Sequence, residues 1–515
     1  MERRTDALRA TRIGLFCAAL AAALLSGCGT NSTTSTTATS NARGTLIQDP
    51  PIRLASADAA TLVAQISTAT LGPQLLQLAG NPSCGIDLYY FQYWTVGAKD
   101  EPTTASGALM VPTGSAATCS GARPIVLYGH GVTIDKTFNI SDITNPSNLD
   151  GPVAAAVFAA QGYIVVAPNY AGYDISSLPY HPFLVADQNA KDMIDALAAA
   201  RAALPHSFTP STTDSGQLFL AGYSEGGYAA MATLRELQAE GKPVTASGLM
   251  SGPYAAEAFG DSTFYGAVFF ASTFFAPMLV NSYQNAYGNI YKSLTDIYEP
   301  QYTTGIVTML PSTLSATQII QGGGLPESAL FSNTTPVTGN PMLDAALAVP
   351  NNALFASGFG PSNLVTNNYR LSYVLDAVAT PDGALPTPQP GVPLSVSAQQ
   401  PLRAGLRLND MRNGPWAPMS PVLLCGGGQD PEVLFPVNTG VMANFWSGLP
   451  SGLVTVLDVN AAPVPGSPFA PLQQAFQQGI AGILASGGEQ AFVQDYHDFV
   501  RPFCAVAARA FFSQF

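Results

Sequence analysis

Charged residues are scarce in this chain of 515 residues, and basic residues are the scarcer kind. Charged side chains make up 10% of the sequence, and 20 Lys and Arg stand against 33 Asp and Glu, which gives a formal net charge of −13. A surface of this sign disfavours binding to nucleic acid and other anionic polymers. Hydrophobic residues make up 47% of the chain, so a large buried core can form.

Long apolar runs are also few, and one of them lies near the N-terminus. MERRTDALRATRIGLFCAALAAALLSGC combines four arginines with a short apolar core, which is typical of a secretory signal peptide over residues 1–27. Its ending, LSGC, resembles the bacterial lipoprotein box, in which Cys28 is lipidated and becomes the mature N-terminus. The alternatives are an ordinary signal peptide cut near the same place and a short membrane anchor, which the brief apolar core disfavours.

The residues after Cys28 are rich in Ser and Thr and have nothing to bury, so residues 28–44 are predicted to form a disordered tether. We therefore predict an exported protein, either a bacterial outer-membrane lipoprotein or a periplasmic or extracellular one. In this prediction its contact with the membrane is the N-terminal lipid anchor.

The segment GQLFLAGYSEGGYAAMATLREL, residues 216–237, carries the strongest chemical signal. Residues 217–221 form an uncharged apolar run typical of a short buried strand, and apolar residues recur at helical spacing from Tyr228 onward. Between them, G-Y-S-E-G fits a nucleophile elbow, a sharp turn that exposes a strained Ser224 between glycines. The alternative is an ordinary glycine-rich connection.

A serine nucleophile needs a base and an orienting acid. Of the four histidines, His130, His181 and His206 precede Ser224, and His497 follows it in a predicted loop before a final helix over residues 499–512. The alternative is a surface histidine at a helix start. The predicted acid is Asp430, which follows a buried strand over residues 421–425 in PVLLCGGGQDPEVLFP. Two other carboxylates between Ser224 and His497 are alternatives for the acid. Glu432 is the nearest rival, whereas Asp458 lies within the next predicted strand and is expected to have a structural role.

The oxyanion of a tetrahedral intermediate needs hydrogen-bond donors. The strand over residues 125–128 runs into Gly-His-Gly-Val, and a turn of this kind can point a backbone N–H at the substrate. We predict the backbone amides of Val132 and of Glu225, the residue after the nucleophile, as the donors. The side chain of His130 is interpreted as a hydrogen-bonded spacer in this turn.

The segments YGHGV, GYSEGG, GGGQD and YHDF together resemble an α/β-hydrolase, and their arrangement resembles the secretory lipases of fungi and actinobacteria. APNYAGYD at 167–174 and HPFL at 181–184 add to this resemblance, which covers residues 85–255 and 418–515. It implies an α/β fold, with a mostly parallel central sheet flanked by helices, and carboxylic ester hydrolysis without metal or organic cofactor. The chain order of the triad in that fold, serine, then acid, then histidine, favours Asp430 and His497.

The resemblance also implies a mainly helical cap between the sixth and seventh strands. Residues 45–255 and 418–515 would form the two parts of the core, and residues 256–417 would form the cap. Its apolar stretch over residues 264–280 is too short to span a membrane and contains Pro277, so it is predicted to be a buried helix. The sharper alternative is a helix that lines an acyl pocket through its phenylalanines: Phe264, Phe269, Phe270, Phe274 and Phe275. The proline-rich residues 378–401 are predicted to form an extended loop.

Cysteine usage agrees with export. Of six cysteines, Cys17 leaves with the signal peptide and Cys28 would carry lipid. Four remain, and an even number in an oxidising compartment predicts two disulfides with three alternative pairings. We favour Cys84–Cys119, which would join the opening strands, and Cys425–Cys504, which would join the acid-bearing loop to the final helix. The alternative is buried free thiols.

Three classes of function follow from these features. Hydrolysis of a small-molecule or lipid ester leads. A serine peptidase of the prolyl-oligopeptidase type would use the same triad in the same order, but residues 45–120 are too few for the N-terminal propeller that such enzymes usually carry. A non-catalytic surface lipoprotein on a hydrolase scaffold is the third class, and it is disfavoured because every catalytic position is filled.

Overall fold

A nine-stranded sheet forms the centre of the computed structural model, which describes residues 41–68, 72–207, 211–382 and 394–515. The predicted signal peptide, Cys28, almost all of the tether and much of the predicted loop over 378–401 lie outside the described residues. The sheet order is β1-β2-β3-β5-β4-β6-β7-β10-β11. The strands in chain order are β1 Ile52–Ala57, β2 Gly85–Val96, β3 Pro102–Thr113, β4 Gly121–Gly129, β5 Ile164–Pro168, β6 Thr212–Tyr223, β7 Ala246–Met250, β8 Phe331–Ser332, β9 Phe359–Gly360, β10 Val422–Gly426 and β11 Val454–Asp458.

The sheet is mixed but mostly parallel. β1, β2, β3 and β5 pair antiparallel, and every pairing from β5 through β4, β6, β7 and β10 to β11 is parallel. β5, β7 and β10 are buried along their whole length, as expected of parallel strands covered on both faces. Because β4, β6 and β10 run in one direction, their carboxyl ends meet at one edge of the sheet. The predicted nucleophile, oxyanion turn and acid all follow these ends.

Helices flank the sheet and fill the segment between β7 and β10. None of the described helices has both the length and the apolar character that a membrane crossing requires. The α-helices are α1 Ala59–Ser67, α2 Gly72–Ala79, α3 Asp150–Val153, α4 Ala186–Ala203, α5 Glu225–Ala239, α6 Ala256–Tyr265, α7 Ser272–Tyr287, α8 Ile306–Met309, α9 Ala316–Gln321, α10 Pro341–Ala346, α11 Ala353–Ala356, α12 Asn367–Ala379, α13 Pro401–Asn409, α14 Thr439–Phe445 and α15 Ala470–Phe512.

The mainly helical segment between β7 and β10 contains α6 to α13 and the short parallel pair β8–β9. Within the nine-stranded sheet, which excludes β8 and β9, the flanking strands β7 and β10 are the sixth and seventh when β2 is counted as the first. A buried arginine, Arg403, holds the segment together by ion pairs with Glu257, Asp261 and Asp376. Because a buried charge is costly unless it is paired, this cluster ties α6, α12 and α13 into one arrangement.

The apolar stretch over residues 264–280 is two helices rather than the single helix that we predicted. α6 ends at Tyr265 and α7 begins at Ser272. Gly266 between them has a φ of 128°, which a residue with a side chain rarely adopts, so it ends the first helix. Pro277 does not interrupt the second helix, which continues to Tyr287.

The loop predicted around His497 is wrong, because His497 lies inside α15. This helix is broken at Gly488, where φ is 66° and ψ is −158°, and it resumes before His497 rather than at residue 499. The reason is packing: aromatic and aliphatic residues recur at helical spacing after the break and bury one face of the helix. These residues are Phe492, Tyr496, Phe499, Val500 and Phe503.

Both favoured disulfide pairings are confirmed. Cys84 and Cys119 are bonded between the start of β2 and the loop before β4. Cys425 and Cys504 are bonded between β10 and α15. The second disulfide therefore joins the strand that leads to Asp430 to the helix that carries His497.

Candidate active site

Ser224 occupies the turn between β6 and α5 in a strained backbone conformation. Its φ is 57° and its ψ is −123°, outside the regions that residues with side chains normally occupy. Its amide donates a hydrogen bond of 2.9 Å to the carbonyl oxygen of Met250 on the next strand, which helps to hold the turn. Strain of this kind persists only where the surrounding structure imposes it, and it is concentrated at functional sites.

The glycines on either side of Ser224 are required by close approaches of backbone. A Cβ placed on Gly222 would lie 2.1 Å from the carbonyl oxygen of Gly226, and a Cβ on Gly226 would lie 2.0 Å from that of Gly129. Neither distance can be tolerated without moving the backbone of α5 or of the strand beside it. The G-x-S-x-G pattern therefore has the steric cause that the elbow interpretation assigns to it.

The side chains of His497 and Asp430 are in direct contact. His497 Nδ1 lies 2.7 Å from Asp430 Oδ2, and both side chains are buried. The other carboxylate oxygen of Asp430 accepts the amides of Glu432 and Val433, each at 3.0 Å. These contacts fix the orientation of the carboxylate, so it receives the Nδ1–H and leaves Nε2 as the basic nitrogen of the imidazole.

The ring of His497 packs beside the elbow. Its centroid lies 4.9 Å from that of Tyr223, the residue before Ser224, and the hydroxyl of Tyr223 donates to the backbone carbonyl of His497. Among the described residues His497 Nε2 has no hydrogen-bond partner, so it forms no bond to Ser224 Oγ in this state. Such bonds are often long without substrate and shorten when it binds.

Two titrating groups of this site have displaced pKa values. Burial lowers the pKa of His497, but the charges of Asp430 and Glu432 and the hydrogen bond to Asp430 outweigh it and raise that pKa to about 9. Burial raises the pKa of Glu432 to about 7, against the opposing charge of His497. Glu432 lines the same cavity as Ser224. The sequence alone had indicated Glu432 only as a rival to Asp430.

The residues of the two predicted oxyanion donors, Val132 and Glu225, line the same cavity as Ser224. A Cβ placed on Gly131 would lie 3.4 Å from Ser224 Cβ, so the turn after β4 touches the elbow. The amide of Gly131 donates to Asp150 at 3.0 Å. The amides of Val132 and Glu225 donate no hydrogen bond to another residue in the described part of the chain. They are therefore free to bind an oxygen atom of a ligand.

The side chain of His130 is buried and held by its neighbours. Its Nδ1 lies 2.7 Å from the carbonyl oxygen of Gly131, and its ring stacks on Tyr170 with centroids 4.3 Å apart. Burial lowers its pKa. These contacts fit the predicted spacer role within the turn.

A cavity opens beside Ser224 and is lined mostly by apolar side chains. Of the five predicted phenylalanines, three line it and two do not. α7 turns one face to the cavity, at Ser272, Phe275, Ala276, Leu279 and Val280, which are spaced by three or four residues. The lining phenylalanines are Phe264, Phe269 and Phe275.

The other two predicted phenylalanines are placed elsewhere by the helical geometry. Phe274 is buried, but it points away from the cavity face of α7. Phe270 precedes α7, and its ring contacts that of Phe269 at 4.3 Å. The prediction missed lining residues from distant parts of the chain, for which no local signal exists. They include Phe183, Ile297, Leu330, Leu402 and Leu406.

No cluster of three or more His, Cys, Asp or Glu within the described residues could hold a metal ion.

Comparison with family models matches residues 152–240, which contain the elbow, to the prolyl oligopeptidase family (Peptidase_S9). No curated protein sequence matches this chain.

Solved structures resemble nearly the whole chain. A ligand-bound form of the rice cell wall degrading esterase LipA from Xanthomonas oryzae is similar with a TM-score of 0.64 and 24% sequence identity, over 91% of this chain and 98% of that chain. A putative hydrolase from Legionella pneumophila is similar with a TM-score of 0.61 and 19% identity, over 91% and 97%. The chain therefore has the α/β-hydrolase fold, as its sequence predicted.

Proposed function

We propose that this protein hydrolyses carboxylic esters with Ser224 as nucleophile, His497 as general base and Asp430 as the orienting acid. The observation that carries the proposal is the Asp430–His497 hydrogen bond. It lies beside Ser224, which has a strained backbone and lines an apolar cavity. An apolar cavity suits the hydrocarbon part of an acyl group. The similarity to an esterase of known structure supports the same reaction class.

In the first half of the reaction, Ser224 Oγ bonds to the acyl carbon while its proton passes to His497 Nε2. The amides of Val132 and Glu225 donate to the resulting oxyanion. His497 then gives the proton to the alcohol oxygen, the ester C–O bond breaks and the alcohol leaves. Asp430 stabilises the imidazolium throughout by accepting its Nδ1–H.

In the second half, water attacks the acyl carbon and passes a proton to His497 Nε2. The Ser224–acyl bond then breaks as His497 returns this proton to Ser224 Oγ, and the carboxylic acid is released. The cavity would hold the acyl chain through both halves. In this proposal the helical segment between β7 and β10 acts as the cap that sets substrate range, since α6 and α7 supply much of the lining.

A serine peptidase is the second candidate, and the match of residues 152–240 to the prolyl oligopeptidase family favours it. Nitrophenyl esters of graded acyl length, assayed beside nitroanilide amides with the same acyl groups, separate the two. The ester proposal predicts turnover of the esters with a dependence on chain length and negligible amide cleavage. Preferential amide cleavage would identify a peptidase, and the absence of both activities would support a non-catalytic surface protein.

We also propose that the protein is anchored to a membrane by lipid on Cys28. The proposal rests on the LSGC sequence after an apolar signal. Replacing Cys28→Ser in the full chain should abolish acylation and release an active enzyme into the soluble fraction. Unchanged membrane partition of this variant would contradict the anchor.

A further inference from the structure

The loop between β5 and α4 contacts both halves of the proposed oxyanion hole. We call residues 170–181 of this loop the clamp loop. Near its start, Tyr170 donates its hydroxyl to the carbonyl oxygen of His130 at 3.2 Å, and Tyr173 donates to that of Thr133 at 2.7 Å. Both tyrosines are fully buried. The two hydrogen bonds flank Val132 and therefore fix the turn that carries its amide.

At its other end the clamp loop reaches the elbow itself. His181 Nε2 lies 2.6 Å from Glu225 Oε1, and neither side chain is more than 1% exposed. The ring of His181 also packs on Tyr173, with centroids 4.6 Å apart. One loop thus holds the turn with Val132 through two tyrosines and the residue after Ser224 through a histidine.

The hydrogen bonds of His181 define its charge. Its Nδ1 lies 2.9 Å from the carbonyl oxygen of Ala171, which can only accept, so Nδ1 carries a proton. A carboxylate at Glu225 would also only accept, so its 2.6 Å contact would place a second proton on Nε2. Burial lowers the pKa of His181, but the charge of Glu225 and the hydrogen bonds to Glu225 and Ala171 outweigh it and raise that pKa. The geometry suits an imidazolium beside a carboxylate.

We propose that His181 is a positioning residue that keeps the oxyanion hole usable by neutralising and fixing Glu225. This inference rests on the proposed function. The amide of Glu225 would face the developing oxyanion, while the same residue carries a buried carboxylate. In a site sheltered from water, an uncompensated negative charge so close to the oxyanion would destabilise the transition state. The charge of His181 removes this conflict and its hydrogen bond fixes the residue.

The test uses the full chain and the variants His181→Gln, Glu225→Gln and the double variant, with His206→Gln as matched control. His206 also pairs with a carboxylate, Asp49, but on the surface. The first readout is the second-order rate constant for labelling of Ser224 by a nitrophenyl alkylphosphonate, which passes through an anionic transition state. The second is kcat and KM for nitrophenyl butyrate, and melting temperatures report folding.

For His181→Gln we expect both the labelling rate and kcat to fall about 10- to 100-fold, with KM changed less than about threefold. Glu225→Gln should lose less, because an amide can donate to a neutral His181 and adds no charge. The double variant should recover at least about fivefold over His181→Gln, because the uncompensated carboxylate is gone. His206→Gln should behave as the wild-type protein does.

Wild-type labelling of His181→Gln would overturn the inference, as would a double variant no faster than His181→Gln. If His181→Gln does not fold, Tyr173→Phe decides, because it keeps the ring and removes only the bond to Thr133. We expect it to lower the labelling rate by about threefold or more, and a wild-type rate would count against the clamp loop. Failure of the wild-type protein itself to label would contradict the proposed function instead.

Discussion

His497 Nδ1 and Asp430 Oδ2 are 2.7 Å apart, although the two residues are separated by 67 positions in the sequence. The contact is built by two elements: the loop after β10, which carries Asp430, and the part of α15 after its break at Gly488. The Cys425–Cys504 disulfide joins β10, the strand that leads into this loop, to the same part of α15. The covalent link and the hydrogen bond therefore hold one arrangement, in which the imidazole directs Nε2 away from Asp430.

Replacing Asp430→Asn should lower kcat by about 10⁴-fold, because an amide in this place favours the wrong imidazole tautomer. The kcat of the variant is measured with nitrophenyl esters. The matched control is Asp498→Asn, at the half-exposed carboxylate next to His497, which should stay close to wild type. A fully active Asp430→Asn together with an inactive Glu432→Gln would move the acid role to Glu432.

The pH dependence of kcat/KM should follow the imidazole of His497. Its pKa of about 9 means that it is protonated, and thus unable to act as a base, at lower pH. Activity should therefore rise as pH increases from neutrality toward about 9. Glu432→Gln should move the midpoint of this rise to lower pH, since the carboxylate of Glu432 stabilises the imidazolium. A midpoint unchanged or moved upward would show that Glu432 does not act on His497.

Phe275→Ala and Phe274→Ala form a matched pair on α7, because only Phe275 lines the cavity. Phe275→Ala should shift the preferred acyl length and leave acetyl esters nearly unaffected, since each methylene buried is worth about 0.8 kcal/mol. Phe274→Ala should instead lower the free energy of unfolding by about 3–5 kcal/mol and keep the profile. Measuring kcat/KM from acetyl to palmitoyl esters decides this. Wild-type profiles in both variants would mean that the cavity does not hold the acyl chain.

Removing the Cys425–Cys504 disulfide by Cys425→Ala and Cys504→Ala should lower the temperature of half-inactivation. The bond closes a long loop, and losing such a constraint costs about 2–5 kcal/mol of stability. The Cys84–Cys119 pair serves as comparison, because it closes a shorter loop away from the triad. Cys84 and Cys119 are both replaced by alanine in the comparison variant. If removing either disulfide lowers activity equally at low temperature, the Cys425–Cys504 bond has no special role in holding Asp430 and His497 together.

Local patterns in the sequence predicted the elbow and the strands around it, whereas the mostly parallel sheet was implied by the resemblance to α/β-hydrolases. Apolar runs ending in glycine mark β4, β6 and β10, and the glycines at 222 and 226 are required by backbone contacts that recur wherever this turn forms. By contrast, no strand was predicted at β1, whose six residues are mostly exposed and alternate between apolar and polar for only three residues at a time. Its place in the sheet comes from pairing with β2.

The parts that could not be predicted depend on tertiary contacts. A loop was predicted around His497, but the burial of Phe492 and Tyr496 extends the helix toward its N-terminus and puts His497 on it. Cavity residues such as Ile297, Leu330 and Leu406 meet only when the chain folds. The pairing of His181 with Glu225 likewise has no local signature, since the two residues are 44 positions apart.

The central claim is that Ser224 performs nucleophilic attack on esters, and its most direct test is a comparison of Ser224→Ala with the wild-type chain. Hydrolysis of nitrophenyl butyrate and mass-spectrometric detection of a phosphonate adduct are measured on both. We expect the variant to fold normally, to carry no adduct and to retain only the roughly 10³–10⁴-fold enhancement over water that binding and the oxyanion hole provide. Loss of a nucleophile should lower turnover far more than tenfold. A variant that keeps a tenth of wild-type turnover would therefore contradict the account, and so would an adduct on another residue.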